Sequence, residues 1–315
     1  MKRIGLIGVL LCIAVVTVCI AGCSAFADND KADKEARASD DAEDNAKIAK
    51  DIGAYERIVA GDVDNKKDSA KEEIVNEESL CLSIFGDSIS TYTGYIPEEC
   101  SIFYPENGGL TDVSQTWWMK FLEDTGMELC SNDSSSGSTC VGDSLSVDNP
   151  RYGCSDYRVS LLVGEMGKTP DIIIVYMGTN DVLESVPIGD NDGTKLVEEG
   201  LIEYFSDAYS LMLDKIASAY PAAQIYCCSL LPIGTWGTAE QPIVTNTHGR
   251  GLTSEDYSAR IRVIAHNKGI PVIDLRYCGI EIDNLPEMTS DGVHPISDGM
   301  ELIERAMLDG INDIE

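Results

Sequence analysis

Five short apolar runs, separated by helix-like stretches, are the feature that most restricts how this chain can fold. The runs are LCLSIF (80–85), MELC (127–130), DIIIVYM (171–177), QIYCCSL (224–230) and PVIDL (271–275). Strands that alternate with helices predict a parallel sheet covered on both faces. The unbroken apolar character of residues 171–177 favours a strand buried on both sides. The sequence therefore predicts an α/β domain with a five-stranded parallel sheet over residues 80–315.

The stretches between these runs carry helix signals. Residues 194–220 form one long amphipathic pattern, with Pro221 just beyond its end. Ser114 is a candidate N-cap for a helix that contains the adjacent Trp117 and Trp118. Because neighbouring helix positions point about 100° apart, at most one of these two tryptophans is expected to point fully inward.

The N-terminal part of the chain has a different composition. Residues 1–22 begin with basic residues and continue as an apolar run ending in small residues, which is the layout of a secretory signal. The run ends I-A-G-C and resembles a bacterial lipobox, so Cys23 is expected to carry lipid and anchor the protein to the cell membrane. An uncleaved membrane-spanning anchor is the alternative, and either arrangement puts the rest outside the cytoplasm.

Residues 23–79 are predicted to be a lipidated, acidic and disordered tether. They are polar and alanine-rich, so they cannot bury enough surface to offset the entropy lost on ordering. A flexible chain of this length spans roughly 40 Å on average. The predicted organisation is thus a signal peptide (1–22), a tether (23–79) and one α/β domain (80–315).

Charge and cysteine content restrict the possible partners. Residues 80–315 carry 37 Asp and Glu against 12 Lys and Arg, and this negative field would repel nucleic acid. We expect no nucleic-acid partner and a neutral or weakly charged substrate. Eight cysteines follow Cys23; they permit disulfides outside the cytoplasm, although several lie in apolar runs where free thiols are equally natural. No C-x-x-C pair suggests a zinc site.

A Gly-Asp-Ser run occurs twice, as GDSIS at 86–90 and GDSLS at 142–146. Ser88 directly follows the first predicted strand, and open parallel sheets bind their ligands beyond the carboxyl ends of the strands. Ser144 lies in a Gly/Ser-rich region with no predicted strand immediately before it. The position in the sheet favours Ser88 as a serine nucleophile.

A serine nucleophile needs a base that accepts its proton, usually a histidine held by a third group. Of three histidines, His266 lies in a helical pattern and His248 in a long loop. His294 follows the fifth predicted strand, with Asp291 three residues before it, a spacing that lets the carboxylate orient the imidazole. We therefore expect Asp291 and His294 to serve Ser88.

Two further loops offer hydrogen-bond donors for an oxyanion. Asn180 lies just beyond the third predicted strand in YMGTND, where its amide can reach the crevice. Gly137, in SNDSSSGST after the second strand, can present a close backbone N–H, and the N–H of Ser88 would be a third donor. Four loops at one end of the sheet would then supply the nucleophile, donors, base and orienting acid.

These blocks resemble the SGNH/GDSL hydrolase family over about 80–310. The match rests on GDS (Ser88), SSGST (Gly137), GTND (Asn180) and DGVH (Asp291 and His294), which occur in the family's order. The first block reads GDSIS instead of GDSL, a mild departure. The resemblance implies a three-layer α/β/α sandwich of flavodoxin type, a catalytic triad with an oxyanion hole, and no metal or organic cofactor.

The resulting expectation is an extracytoplasmic serine esterase that removes short acyl groups, above all acetyl, from a carbohydrate or another small ester. Tyr92, Trp236 and His248 are candidate substrate contacts because they lie in loops at the expected crevice. A lipase or lysophospholipase is the second enzymatic reading. A surface carbohydrate-binding lipoprotein that has lost its chemistry is the alternative from another class.

Overall fold

The computed structural model describes residues 79–234 and 251–312. Its central sheet contains the five predicted strands. They are β1 (Cys81–Gly86), β2 (Glu128–Ser134), β4 (Ile172–Tyr176), β6 (Gln224–Cys228) and β7 (Val272–Ile273). The other two strands of the described part, β3 (Gly142–Asp143) and β5 (Leu201–Ile202), form a separate antiparallel pair.

The central sheet is parallel throughout, in the order β2-β1-β4-β6-β7. Every residue of β1 and β4 is buried, as the apolar run at 171–177 predicted. The chain leaves β1 for one neighbour and then reverses direction along the sheet. That reversal makes the edge between β1 and β4 the topological switch point, where a crevice opens beyond the strand ends.

Seven α-helices are described. They are α1 (Trp117–Thr125), α2 (Asp156–Ser160), α3 (Thr179–Leu183), α4 (Phe205–Ala219), α5 (Ser254–Asn267), α6 (Leu285–Met288) and α7 (Ser297–Asn312). Helix α1 packs against α7, and α4 packs against α2 and α5. Because parallel crossovers are right-handed, the reversal of strand order puts these two groups on opposite faces of the sheet. The predicted three-layer α/β/α sandwich is confirmed.

The prediction of one long helix over residues 194–220 is wrong for residues 194–204. Helix α4 begins only at Phe205, because Gly200 has a φ of +139° and residues 201–202 pair with 142–143 instead. A positive φ of this size is incompatible with a helix and is readily adopted only by glycine. The amphipathic pattern includes residues 201–202, but the backbone of these residues pairs with residues 142–143 instead of forming helical hydrogen bonds.

The N-terminus of α1 also differs from the prediction. Thr116 caps the helix, whereas Ser114 belongs to a preceding 3₁₀ turn capped by Asp112. Trp117 and Trp118 are both 0% exposed. Their indole N–H groups donate to the Oγ and the carbonyl oxygen of Ser90, at 3.1 and 3.0 Å. The expectation that at most one of these tryptophans points fully inward is therefore wrong, because both indoles reach the same residue in the turn after β1.

Two further observations concern features left open by the sequence. All eight cysteines from Cys81 to Cys278 are free thiols. None of the helices in residues 79–234 and 251–312 is both long enough and apolar enough to cross a membrane. The predicted signal peptide, Cys23 and the tether up to residue 78 lie outside the described residues.

Candidate active site

The turn after β1 presents Ser88. Asp87 caps a 3₁₀ turn over Ser88–Ser90 by accepting the N–H of Ile89 at 3.1 Å. Gly86 allows the close approach that this turn needs, because a Cβ there would lie 2.5 Å from the Oγ of Ser134. Ser88 is 4% exposed. In the Gly-Asp-Ser run, Gly86 allows close packing and Asp87 caps the turn, and together they place the hydroxyl of Ser88 at the end of β1.

His294 reaches this hydroxyl from the loop between α6 and α7. Its Nε2 lies 2.8 Å from the Oγ of Ser88, and its Nδ1 lies 2.7 Å from Oδ2 of Asp291. The second oxygen of Asp291 accepts the backbone N–H groups of His294 and Val293, at 2.8 and 3.0 Å. The structure thus brings the three predicted residues into one hydrogen-bonded chain.

The loop that carries His294 is closed on itself. The N–H of Ser290 donates to the carbonyl of His294 at 2.8 Å, and Thr289 bridges to Pro295. Gly292 has a φ of +89°, and a Cβ there would lie 2.2 Å from the carbonyl oxygen of Gly234. Only glycine fits this position, so the G of DGVH fixes where the imidazole is presented.

The environment of Asp291 favours its charged form. Burial acts to raise the pKa of this carboxyl, but the hydrogen bond and the charge interaction with His294, together with the two backbone N–H groups, outweigh burial and lower the pKa. An ionised carboxylate at Nδ1 keeps the proton on that nitrogen, which leaves Nε2 free to accept one.

The candidate oxyanion donors come from two neighbouring loops. Asn180, in the first turn of α3, donates one amide hydrogen to the carbonyl of Ser138 at 2.8 Å, and a side-chain amide has two hydrogens. That bond ties Asn180 to the loop of Gly137, whose φ is +77°. Within the described part of the chain, no atom accepts the N–H of Gly137 or of Ser88. The N–H groups of Ser88 and Gly137 and the second amide hydrogen of Asn180 are therefore available to a ligand.

Backbone contacts place the loop of Gly137 beside the turn of Ser88–Ser90, which is called the nucleophile turn below. The N–H of Ser135 donates to the carbonyl of Gly86 at 3.3 Å, and the hydroxyl of Ser138 approaches the same carbonyl at 3.5 Å. A carboxylate from α3, Asp181, accepts the N–H groups of Cys140 and Val141 at 2.8 and 3.3 Å. The loop after β2 is thus anchored at both ends.

Ser144, the serine of the second Gly-Asp-Ser run, is buried and makes hydrogen bonds that hold neighbouring segments together. It is fully buried, its Oγ accepts the N–H of Gly200 at 2.8 Å, and its carbonyl accepts the ammonium of Lys215 at 2.7 Å. The expectation that no strand precedes it is wrong, since β3 ends at Asp143. This strand is two residues long and antiparallel to β5, so it does not open into the crevice of the central sheet.

The predicted substrate contacts are only partly described. Tyr92 is 9% exposed and packs edge-on against Tyr95, with ring centroids 6.3 Å apart. Tyr95 is the more exposed ring of this pair, at 40%. Trp236 and His248 lie outside the described residues. His266, which the sequence set aside, is exposed on α5.

Two groups near the site were missed by the sequence analysis. Phe103 stacks on the imidazole of His294, with ring centroids 3.5 Å apart and planes 11° apart. Arg158 forms a fully buried ion pair with Asp133 at 2.8 Å and also donates to the carbonyl of Gly86 at 3.0 Å. Asp133 and Arg158 are visible in the sequence as charged residues, but their spacing does not indicate that they form an ion pair. Phe103 lies in a segment without periodicity and gave no signal.

In residues 79–234 and 251–312, no group of three His, Cys, Asp or Glu side chains is arranged to hold a metal ion. What the arrangement can do chemically follows from its parts. A hydroxyl, a base oriented by an ionised acid and N–H donors on the neighbouring loops suit nucleophilic attack on an acyl carbon.

Comparison with known proteins agrees with this chemistry. Residues 80–232 match the family described as GDSL-like lipase/acylhydrolase. A Bacteroides ovatus protein described as a GDSL-like lipase is 26% identical, with a TM-score of 0.54 over 75% of this chain and 100% of that one. One from Bacteroides uniformis is 25% identical, with a TM-score of 0.53 over 75% and 96%. No curated protein matches the chain.

Proposed function

We propose that this chain works by a Ser88–His294–Asp291 mechanism on short acyl esters. The premise is that it carries a GDSL-like lipase/acylhydrolase domain and is an ester-cleaving hydrolase. The observation that carries the proposal is the continuous hydrogen-bonded chain from Ser88 Oγ through both imidazole nitrogens to Asp291. Such a chain is the arrangement that turns a weakly nucleophilic hydroxyl into a competent one.

In the first half-reaction, Ser88 Oγ attacks the ester carbonyl carbon while Nε2 of His294 takes the hydroxyl proton. Asp291 holds the imidazole in the required tautomer and stabilises the imidazolium that forms. The negative charge that develops on the carbonyl oxygen is met by the N–H groups of Ser88 and Gly137 and by the free amide hydrogen of Asn180.

The tetrahedral intermediate then collapses. His294 returns its proton to the leaving alcohol oxygen, and the acyl group stays on Ser88 as an ester. In the second half-reaction, His294 removes a proton from a water molecule that attacks this ester. The same donors hold the second oxyanion, and collapse releases the carboxylic acid and restores the Ser88 hydroxyl.

The proposed substrate is a carbohydrate ester with a short acyl group, acetyl first. The nearly buried Ser88 supports a small acyl group, and the strongly negative domain disfavours anionic polymers. A lipid ester is the second candidate. It is favoured by two apolar side chains, Tyr95 and Ile102, which are each 40% exposed on segments that adjoin the nucleophile turn. The relatives described as lipases point the same way.

Hydrolysis of p-nitrophenyl acetate, butyrate and octanoate by the purified protein tests the proposal. We expect the highest kcat/KM on acetate, a loss of about 10⁴-fold or more in Ser88→Ala, and full activity in Ser144→Ala once its folding has been checked by its melting curve. A preference for octanoate would favour the lipid ester. Activity that survives Ser88→Ala would contradict the site, and an inactive, folded parent would favour the binding-protein alternative.

The proposed location is the outer face of the cell membrane, through a lipid on Cys23. The I-A-G-C sequence at residues 20–23 supports it. Metabolic labelling with a radioactive fatty acid should mark the parent and not Cys23→Ala, and the variant should leave the detergent phase in a partition experiment. A variant that stays in the membrane, with a parent that takes up no label, would instead indicate an uncleaved anchor.

A further inference from the structure

Two consecutive aromatic side chains contact the base from the segment Ser101–Tyr104. The phenyl ring of Phe103 lies flat on the imidazole of His294, at a centroid distance of 3.5 Å and an angle of 11°. Tyr104 meets the same imidazole edge-on at 6.4 Å, and its hydroxyl donates to the carbonyl of Pro295 at 2.8 Å. One face of the imidazole is therefore covered by protein.

The Ser101–Tyr104 segment is also joined to the nucleophile turn. The backbone N–H of Phe103 donates to Oγ1 of Thr91 at 2.9 Å. The hydroxyl of Thr91 in turn donates to the carbonyl of Ser88 at 3.0 Å. Two hydrogen bonds through Thr91 thus connect the backbone of Phe103 to the residue that the imidazole serves, so this backbone is held beside the turn of Ser88.

A second pair of bonds joins the segment to the loop that carries the oxyanion donors. The N–H of Ser101 donates to Oγ of Ser135 at 3.1 Å, and the N–H of Ser136 donates to the carbonyl of Ser101 at 2.8 Å. The four residues therefore contact the nucleophile turn, the donor loop and the base together. Phe103 itself is only partly buried, so its ring is not part of the hydrophobic core.

The flat stacking has an electrostatic consequence. The face of a phenyl ring carries negative charge density and attracts a cation placed over it, by about 0.5–2 kcal/mol. The imidazole is neutral before attack and positively charged while Ser88 attacks. An interaction with the charged form alone stabilises the transition state relative to the ground state and so raises kcat.

We infer that Phe103 is a positioning residue for His294, and that its ring stabilises the imidazolium formed during acylation and deacylation. The inference rests on the proposed function. The other groups that face His294 are the carboxylate of Asp291, the buried carboxyl of Asp87 and the ring of Tyr104. All three remain in place when Phe103 alone is changed, so the contribution of its ring can be measured separately.

The test compares Phe103→Leu, which keeps an apolar side chain and removes the ring, with Phe103→Tyr, which keeps the ring. Leu196→Ala, which shortens an exposed apolar side chain outside this segment, is the control. For each purified full-length protein, kcat and KM for p-nitrophenyl acetate are measured across pH. The imidazole protons are titrated by NMR, which is practical because the chain has three histidines and His294→Asn identifies the relevant signal.

We expect Phe103→Leu to lower kcat by about tenfold, equivalent to about 1.4 kcal/mol, with little change in KM. The acidic limb of its kcat/KM profile and the NMR titration of His294 should both move to lower pH. Phe103→Tyr should restore both, and Leu196→Ala should match the parent. The two readouts must move together, because a ring that stabilises the imidazolium makes the imidazole a stronger base.

The inference is overturned if folded Phe103→Leu titrates and turns over like the parent. It is also overturned if Phe103→Leu loses activity while the His294 titration stays unchanged, because the residue would then act through packing alone. The NMR titration needs no turnover. A parent without esterase activity would therefore defeat the proposed function, while a shifted His294 titration in Phe103→Leu would still report the stacking.

Discussion

The amide group of Asn180 combines an observed hydrogen bond with a proposed one. One hydrogen donates to the carbonyl of Ser138, which fixes the orientation of the side chain, and the other is the proposed donor to an oxyanion. Preorganisation of this kind is valuable because a donor that is already held in place needs no reorganisation when charge develops. The bond to Ser138 is therefore part of the catalytic proposal as well as of the structure.

Replacement of Asn180 measures that donor. Asn180→Ala should lower kcat by about 10²–10³-fold with a small change in KM, because the donor acts on charge that exists only in the transition state. Asn180→Asp has the same shape but presents a carboxylate, which cannot donate when ionised and repels the oxyanion, so its loss should be larger. Steady-state kinetics on p-nitrophenyl acetate decides; equal activity in both variants and the parent would exclude Asn180 from the site.

Asp291 should influence stability as well as activity. Burial acts to raise its pKa, but the contacts with His294 outweigh burial and hold the pKa below its ordinary value of 3.8. A carboxyl whose pKa is lowered by folding stabilises the folded state above its unfolded pKa, and this contribution is lost as pH falls through the folded pKa. Asp291 thus contributes fully at neutral pH and progressively less below about pH 4.

Asp291→Asn should therefore lower kcat by about 10⁴-fold and reduce the free energy of unfolding at pH 7. The stability difference between parent and variant should shrink as pH falls below 3.8. Urea unfolding at pH 7, 5 and 3.5 measures it. A difference that stays constant, or that grows in acid, would show that the carboxylate is not stabilised in the folded state.

At the scale of elements, the buried pair of Asp133 and Arg158 joins three of them. Asp133 is the next-to-last residue of β2, Arg158 lies on α2, and the guanidinium also donates to the carbonyl of Gly86 at the end of β1. Both side chains are fully buried. Through the carbonyl of Gly86, the pair is connected to the end of β1 from which the turn of Ser88 follows.

Removing one partner of this pair should be costly. Arg158→Met leaves an unpaired buried carboxylate and should lower the free energy of unfolding by about 3–5 kcal/mol. The double variant Asp133→Leu/Arg158→Met removes both charges and should be less destabilised than Arg158→Met alone. Urea unfolding of the single and double variants measures the coupling, and simple additivity would argue against a paired, desolvated interaction.

The elements that could be predicted from the sequence are those whose signals are local. Each central strand is a short apolar run. Because ligands of open parallel sheets bind beyond the carboxyl ends of the strands, the position directly after the first run favoured Ser88 over Ser144. The start of α4 could not be predicted, because β5 depends on pairing with residues 142–143, far away in the chain.

Contacts between distant loops were also beyond local patterns. The sequence identifies Asp133 and Arg158 as charged residues but does not say that they meet in the interior. Phe103 lies about 190 residues from His294 in the chain, and its segment shows neither strand nor helix periodicity. Such pairs are decided by how the sheet brings loops together, which short-range spacing does not encode.

At the scale of the whole molecule, the domain is held without covalent cross-links between its cysteines. All eight thiols from Cys81 to Cys278 are free, and six are buried, while Cys130 and Cys278 are partly exposed. Burial raises the pKa of the Cys100 and Cys154 thiols to about 12. Because the thiolate is the reactive form, these groups should be inert at neutral pH.

Alkylation with iodoacetamide at pH 8, followed by peptide mapping, should therefore modify at most Cys130 and Cys278 in the folded protein. All eight should react after unfolding in urea. Dithiothreitol should leave the melting temperature unchanged, since it has no disulfide to reduce in this part of the chain. Fewer than eight reactive thiols in the unfolded, unreduced protein, or a lower melting temperature in dithiothreitol, would contradict the free-thiol arrangement.

The contact between Ser88 and His294 spans 206 positions of the chain. During synthesis, the nucleophile is made early and its base only when the last strand and the loop after it have been added. A partly made or truncated chain would carry Ser88 without its partner. On the proposed mechanism, hydrolytic competence is therefore acquired in one late step of maturation, and a premature stop or a proteolytic cut before residue 294 that releases the rest would leave an inert fragment.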